Sequence, residues 1–171
     1  ARAIVGADKR EAGQVYVEGR PVRIGSPAEA IRHGIAYISE DRKTSGIFPE
    51  LGVADNVLLP AYDNASRWGV VGLGSARRTV SELVRRLDVR AADLSQRMVT
   101  LSGGNQQKVV LARWLNRQAR IFIFDEPTRG IDVLAKEHIY GLMSQLIEGG
   151  ASIVMISSEL PELLAMSDRI L

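Results

Sequence analysis

The chain has 171 residues, with 22 Lys and Arg against 20 Asp and Glu for a formal charge of +2, a hydrophobic fraction of 46% and no Cys. Its length fits one globular domain with a single core, and the missing Cys excludes disulfides, thiolate metal sites and a Cys nucleophile. No apolar run exceeds four residues, against the ~20 of a membrane helix; residues 1–10 lack signal-peptide character; and the dispersed, nearly balanced charge does not imply a nucleic-acid partner despite a pI of 9.2.

Ala1–Val5 reads as the tail of a helix with Gly6 as its stop. Gln14–Val17 and Pro21–Ile24 are β-prone runs around Glu18-Gly19-Arg20, a hairpin signal. Ser26, Pro27 and Glu29 then form an N-cap, a first-turn proline and a capping-box acid, for a helix ending near Gly34. Ile35–Ile38 is a short apolar strand. Lys43–Pro49 is loop-like, Asp55–Leu59 a short helix stopped by Pro60, and Ser66–Gly74 a Gly-rich loop. Ser75–Leu87 carries Val80, Leu83, Val84 and Leu87, the stripe of an amphipathic helix. Gly104–Asn116 is helical. Ile121–Phe124 is apolar without alternation, as in a strand buried on both faces. Asp132 is expected to cap a helix to Glu148, striped by Ile139, Leu142, Met143, Leu146 and Ile147 and stopped by Gly149. Ser152–Ser157 is a second buried strand, Ser158 caps a helix to Met166, and Arg169–Leu171 begins a further strand. Strands alternating with helices predict an α/β fold with a parallel sheet, interrupted by a mostly helical middle.

Two segments carry chemistry. Leu101-Ser102-Gly103-Gly104-Asn105-Gln106-Gln107-Lys108 opens a helix. Its glycines allow close approach to the backbone, its amides and helix dipole favour phosphate, and Ser102 adds a hydroxyl. Ile121-Phe122-Ile123-Phe124-Asp125-Glu126-Pro127-Thr128 ends a strand. The carboxyl end of a parallel strand faces the crevice where α/β proteins bind ligands. Asp125 suits Mg²⁺, and Glu126 suits a general base or water-orienting group.

Together, in this order, these segments resemble the signature and Walker B motifs of ATP-binding-cassette (ABC) ATPases. The Asn-Gln-Gln extension and Thr128-Arg129-Gly130-Ile131-Asp132 narrow the resemblance to the carboxyl-terminal cassette of double-cassette ATP-binding subunits of bacterial monosaccharide importers. Ile35–Lys43, Ser157–Glu162 and Ser167–Ile170 are similar to that subfamily too. The resemblance implies a P-loop NTPase-like fold, truncated at both ends, with flanking helices and a small hairpin. Residues 1–40 and 101–171 would form the α/β core, and 41–100 the inserted helical subdomain. It implies ATP and Mg²⁺ as cofactors. Leu101, Ser102, Gly103, Gly104, Asn105 and Gln106 would face a nucleotide held by an opposing cassette. Asp125 would be the metal-linked carboxylate and Glu126 the catalytic one. Asp132 would lie in the D-loop. Glu40 falls at the Q-loop position beside the metal, and Glu159 at the switch-histidine position. The implied partners are a second cassette of the same subunit and membrane permease subunits, with sugar bound by a separate protein. The place is peripheral, on the cytoplasmic face of the inner membrane.

Three features depart from an active cassette. No G-x-x-x-x-G-K-[ST] loop occurs, so the chain is expected to start downstream of its P-loop strand, leaving a sheet with two unpaired edges. Glu159 places a carboxylate where an imidazole would meet phosphate, and Glu40 replaces an amide. The site built from this cassette's own residues is therefore expected to be degenerate, while its signature loop serves the opposing site. Gly72, Gly74 and Ala76 lack the third glycine of a dinucleotide loop. His33 and His138 have no ligand spacing. Arg77, Arg78, Arg85 and Arg86 read as a solvated face, and Trp68 and Trp114 as packing residues. Alternatives are a nucleic-acid-directed ABC ATPase, disfavoured by the short Cys-free insert, and a silent interaction module. With no phosphate loop, this chain alone should neither bind ATP tightly nor hydrolyse it; a micromolar affinity in equilibrium titration would contradict that.

Overall fold

The computed structural model describes residues 1–39, 46–59, 66–67, 70–71, 73–129 and 133–171. The chain forms two compact units: Ala1–Glu40 with Ala119–Leu171, and Asp41–Gln118. The division falls after Gln118, not after Thr100 as the motif pattern had placed it. The helix that begins at Gly103 packs on helices of the middle segment, which is why it belongs with them. Expectations placed on Glu40, Lys43, Pro60, Trp68, Gly72 and Asp132 fall outside the described residues.

In the first unit the opening residues form a helical turn closed by a Schellman cap. Gly6 N–H donates to Ala3 O at 3.4 Å and Ala7 N–H to Arg2 O at 2.9 Å, with Gly6 at φ +70°. Strands β1 (Val15–Val17) and β2 (Arg20–Val22) pair antiparallel. Both turn residues, Glu18 and Gly19, have positive φ, as a two-residue hairpin of this hand requires. Helix α1 (Pro27–Arg32) is capped by Ser26 Oγ, which accepts from Glu29 N–H. Glu29 returns to the N–H of Gly25 at 2.7 Å instead of that of Ser26, so the reciprocal box is displaced by one residue.

The sheet contains β3 (Ile35–Ile38), β6 (Ile121–Asp125) and β7 (Ser152–Ile156), in the order β3-β6-β7 and parallel throughout. The three strands are contiguous, with β3 and β7 at the edges of this sheet among the described residues. Phe122, Ile123 and Phe124 are fully buried, each contributing on the order of 1.5–3 kcal/mol by burial. Ile123 faces a cluster of Val5, Ile24, Ala30 and Ile35, onto which the hairpin valines pack. On the other face Phe122 and Phe124 stack at 6.3 Å between ring centroids. β7 departs from the expected buried strand, since Val154 is 47% exposed.

Helix α5 (Val133–Glu148) connects β6 to β7 and buries Ile139, Leu142, Met143 and Leu146, whereas Ile147 lies outside the stripe. Its stop is Gly150, at φ +86°, one residue beyond the expected Gly149. The Ala151 N–H reaches Leu146 O across it at 3.0 Å, which fixes the left-handed position there. Helix α6 (Leu160–Met166) has Glu159 as N-cap residue, without a side-chain cap. Ser158 lies one residue before that N-cap, and its hydroxyl donates to Glu126. Arg169–Leu171 forms no strand.

The second unit contains α2 (Val53–Leu58), α3 (Leu73–Arg86) and α4 (Gly103–Asn116), which pack on one another. Ser66–Gly74 is not wholly loop: β4 (Ser66–Arg67) and β5 (Val70–Val71) form a minimal antiparallel pair. Arg113 is buried and donates to Asn56 O at 2.7 Å, Asn56 Oδ1 at 2.9 Å and Gly46 O at 2.8 Å. Its guanidinium lies 5.9 Å from the centre of the Phe48 ring. Burial pulls its pKa down to about 10. Asn56, fully buried, also brackets Phe48 through both its N–H and C=O. These polar groups fix the 46–56 segment because burying any of them without a partner would cost ~1–3 kcal/mol.

A Cβ on Gly6 would stand 2.4 Å from the backbone nitrogen of Ser26. Gly6→Ala should therefore cost this unit about 2 kcal/mol or more in denaturant unfolding. Gly13→Ala, at φ +87° but in open space, should cost only ~1–2 kcal/mol of backbone strain.

Candidate functional site

The carboxyl ends of β6 and β7 gather the predicted acidic residues of the α/β unit. Asp125 is the last residue of β6 and half-buried. Its Oδ2 accepts a hydrogen bond from the Tyr37 hydroxyl, on the neighbouring β3, at 2.6 Å. Burial first, then this bond to the carboxylate, pushes the Tyr37 phenol up to about 12. The phenol is thus a permanent donor near neutral pH. One carboxylate oxygen is occupied and oriented, and Oδ1 remains on the other side.

Glu126 follows at φ +50°, a left-handed conformation that costs a non-glycine residue about 1–2 kcal/mol. Its N–H donates to Ile156 O at 2.9 Å, extending the β6–β7 ladder by one bond, and Ser158 Oγ donates to its Oε2 at 3.1 Å. The backbone turn therefore directs the Glu126 carboxylate to the end of β7.

Glu159 does not stand as a lone carboxylate. Lys136, in the first turn of α5, donates to both of its oxygens at 2.6 and 2.7 Å. Behind these residues lies a polar node. Glu162 is 5% exposed; Thr128 Oγ1 donates to its Oε1 at 2.7 Å and Ser157 Oγ to its Oε2. Burial first, then the nearby Glu162 carboxylate, pushes the Tyr140 phenol up to about 12. Two hydroxyl donors offset the desolvation of the buried carboxylate. They tie the turn after β6, the end of β7 and α6 to one point.

In the helical unit, Ser102 is the N-cap residue of α4 and makes no side-chain cap. The Asn105 Nδ2 donates to Ser102 Oγ at 2.9 Å, so the serine proton remains for an outside acceptor. Asn105 Oδ1 accepts from Arg90 N–H at 2.8 Å. Gln106 Nε2 donates to the carbonyls of Met98 and Leu101 at 2.9 and 3.2 Å. The amides of Asn105 and Gln106 are thus engaged inside the loop, and Leu101 is buried. Ser102, Gly103 and Gly104 are exposed, and a Cβ on either glycine would meet nothing within 4 Å. Their amides lie in the first helical turn, where no intrahelical acceptor exists. These three are the groups of the loop open to a phosphate.

The motifs pointed to Asp125, Glu126, Glu159 and the 101–106 loop. Glu40 and Asp132 lie outside the described residues. Sequence reading passed over Tyr37, Lys136 and Glu162. Tyr37 had a signal, a polar tip in an otherwise apolar strand. Lys136 had a weaker one, a cation in a first helical turn, where the dipole disfavours it. The partners of Glu162 come from separate segments and had none. Among the described residues no cluster of three or more His, Asp or Glu is placed to hold a metal. That set of donors still fits Mg²⁺, which takes one or two carboxylates and fills its remaining positions with water and phosphate. No helix among the described residues is long and apolar enough to cross a membrane.

The nested strand-end carboxylates, the phosphate-open glycine loop and the parallel sheet define an ATP-binding cassette fold. The family profile described as "ABC transporter" matches residues 1–129, and the chain belongs to that family. It is 47% identical over its whole length to the xylose import ATP-binding protein XylG of Thermoanaerobacter pseudethanolicus, covering 34% of that protein. It is 53% identical over 99% of its length to a putative ribose/galactose/methyl galactoside import ATP-binding protein 3 of Burkholderia cenocepacia, covering 33%. The chain thus spans about a third of the curated relatives it matches. The ADP conformation of MJ1267, an ATP-binding cassette of an ABC transporter, matches 98% of the chain and 67% of its own at a TM-score of 0.77 and 22% identity, which bears on the fold alone.

Stability linked to the neutral Tyr37 and Tyr140 phenols should be intact below pH ~10 and lost as pH rises toward about 12. In a phenolate absorbance titration, Tyr37→Phe and Tyr140→Phe should each remove one late-ionising group.

Proposed function

We propose that this chain is part of the energy-coupling subunit of a bacterial sugar importer, and that ATP binding and hydrolysis by two cassettes drive its permease. The observation that carries this reading is the carboxyl edge of β6 and β7, where Asp125 and Glu126 are each held by a hydroxyl donor. The sugar-import relatives support it, and the nucleic-acid alternative is not favoured.

Asp125, through the oxygen that Tyr37 leaves open, would hold Mg²⁺ directly or through water. When bound, the ion neutralises charge on the β- and γ-phosphate oxygens. Glu126, fixed by Ser158, is the residue placed to orient a water for in-line attack. Ser102, Gly103 and Gly104 would supply a hydroxyl and amides to the terminal phosphate of a nucleotide on the opposing cassette. Glu40 beside the metal and Asp132 in the D-loop complete the proposed site. A second cassette of the same subunit, permease subunits and a separate sugar-binding protein are the proposed partners. The subunit would be peripheral at the cytoplasmic face of the inner membrane. The chain is read as one partial cassette, its 41–100 segment docking on the permease.

The roles of the two motifs separate by mutation. In the complete protein, Gly103→Asp or Gly104→Asp should abolish transport-coupled ATPase activity, because a side-chain carboxylate would occupy the phosphate approach. Glu126→Gln should do less damage, since this cassette's own site lacks an imidazole at position 159. Equal loss from both, read as steady-state phosphate release, would overturn the assignment.

A further inference from the structure

Three carboxylates, Asp125, Glu126 and Glu159, end up at the carboxyl edge of β6 and β7. A nucleotide phosphate entering there would meet concentrated negative charge. Mg²⁺, when bound, would offset charge at Asp125, and Glu126 accepts from Ser158, but a hydroxyl donor leaves the Glu126 charge in place. Glu159 is the carboxylate matched by a cation. Lys136 donates to both its oxygens at 2.6 and 2.7 Å, with the lysine side chain 21% exposed and the glutamate 50%.

The placement of Lys136 needs explaining. The first turn of a helix disfavours cations, because the dipole is positive there, and α5 has no acidic residue in that turn. The pair joins a half-exposed glutamate to a lysine that is mostly buried. Its geometry serves Glu159: two bonds draw the carboxylate against α5 and cancel its charge.

We propose that Lys136 is a charge-compensating positioning residue of the nucleotide site, which allows that site to hold a nucleotide with a terminal phosphate although position 159 is a carboxylate. The inference rests on the cassette reading above. It also separates two properties: the Lys136–Glu159 pair removes repulsion and so permits binding, but it supplies no neutral imidazole for hydrolysis. A site of this kind retains ATP and turns it over slowly.

The test is equilibrium binding of MgATP and MgADP to the complete protein, counted per nucleotide bound, at low and high salt. Lys136→Met should weaken MgATP at one site by on the order of tenfold, the size of one uncompensated charge near a protein surface. MgADP, with one charge fewer, should lose less, and the ATP effect should shrink at high salt. Adding Glu159→Gln to Lys136→Met should restore MgATP affinity to within about threefold, because it removes the charge left unpaired. Glu159→Gln alone, which leaves the lysine free to face phosphate, should tighten MgATP. Unchanged affinity in Lys136→Met would overturn the proposal. So would equal loss of MgATP and MgADP without rescue, the mark of a purely structural role, or weaker MgATP binding by Glu159→Gln alone. If the unaltered protein bound no nucleotide, the cassette reading itself would fail and this inference with it.

Discussion

Strand β6 is the constraint on which the α/β unit depends. It is hydrogen-bonded on both edges, to β3 and β7, and Phe122, Ile123 and Phe124 are fully buried. A strand so enclosed has no freedom to slip, because a one-residue shift would exchange its two faces. Its carboxyl end therefore lies at one point. Asp125 emerges beside Tyr37 on one neighbour, and Glu126 bonds through its backbone to Ile156 on the other. The chemistry of the site is a consequence of that register.

A second layer of order lies behind the carboxylates. The Glu162 node takes its hydroxyl donors from the turn after β6 and from the end of β7. It is costly to break, since a buried carboxylate deprived of donors is strongly destabilising. Its effect is to hold the Ser157–Glu159 segment in one arrangement, with Ser158 on Glu126 and Glu159 on Lys136. The carboxyl edge of β6 and β7 is thus supported from within, as a precise site would require. The glycine loop at α4 follows the same rule on its own unit. Asn105 and Gln106 consume their amides in local bonds, and the rigid frame leaves Ser102, Gly103 and Gly104 open.

Much of this was legible in the chain. The apolar run Ile121–Phe124, the caps at Ser26 and Pro27, the hairpin glycine and the stripe of α3 follow from local periodicity and turn chemistry, which act over a few residues. The boundaries that moved were those governed by tertiary contacts. Gly150 replaced Gly149 because a long-range-insensitive glycine pair offers two stops and the cap bonds select one. Ser158 lost its capping role because the helix starts one residue later, with Glu159 as N-cap. The loop Ser66–Gly74 gained a two-residue strand pair.

By itself the sequence determined the fold class and the positions of Asp125, Glu126 and the Ser102–Gly104 loop, because strand burial and glycine freedom are properties of short segments. Only the tertiary structure decided the charge state of the surroundings. Tyr37 reaches Asp125 across 88 residues of chain, Glu162 meets Thr128 across 34 and Lys136 meets Glu159 across 23. A carboxylate at position 159 reads as unpartnered in the sequence and is paired with a lysine in the fold, since Coulomb interactions depend on distance in space and not on distance along the chain.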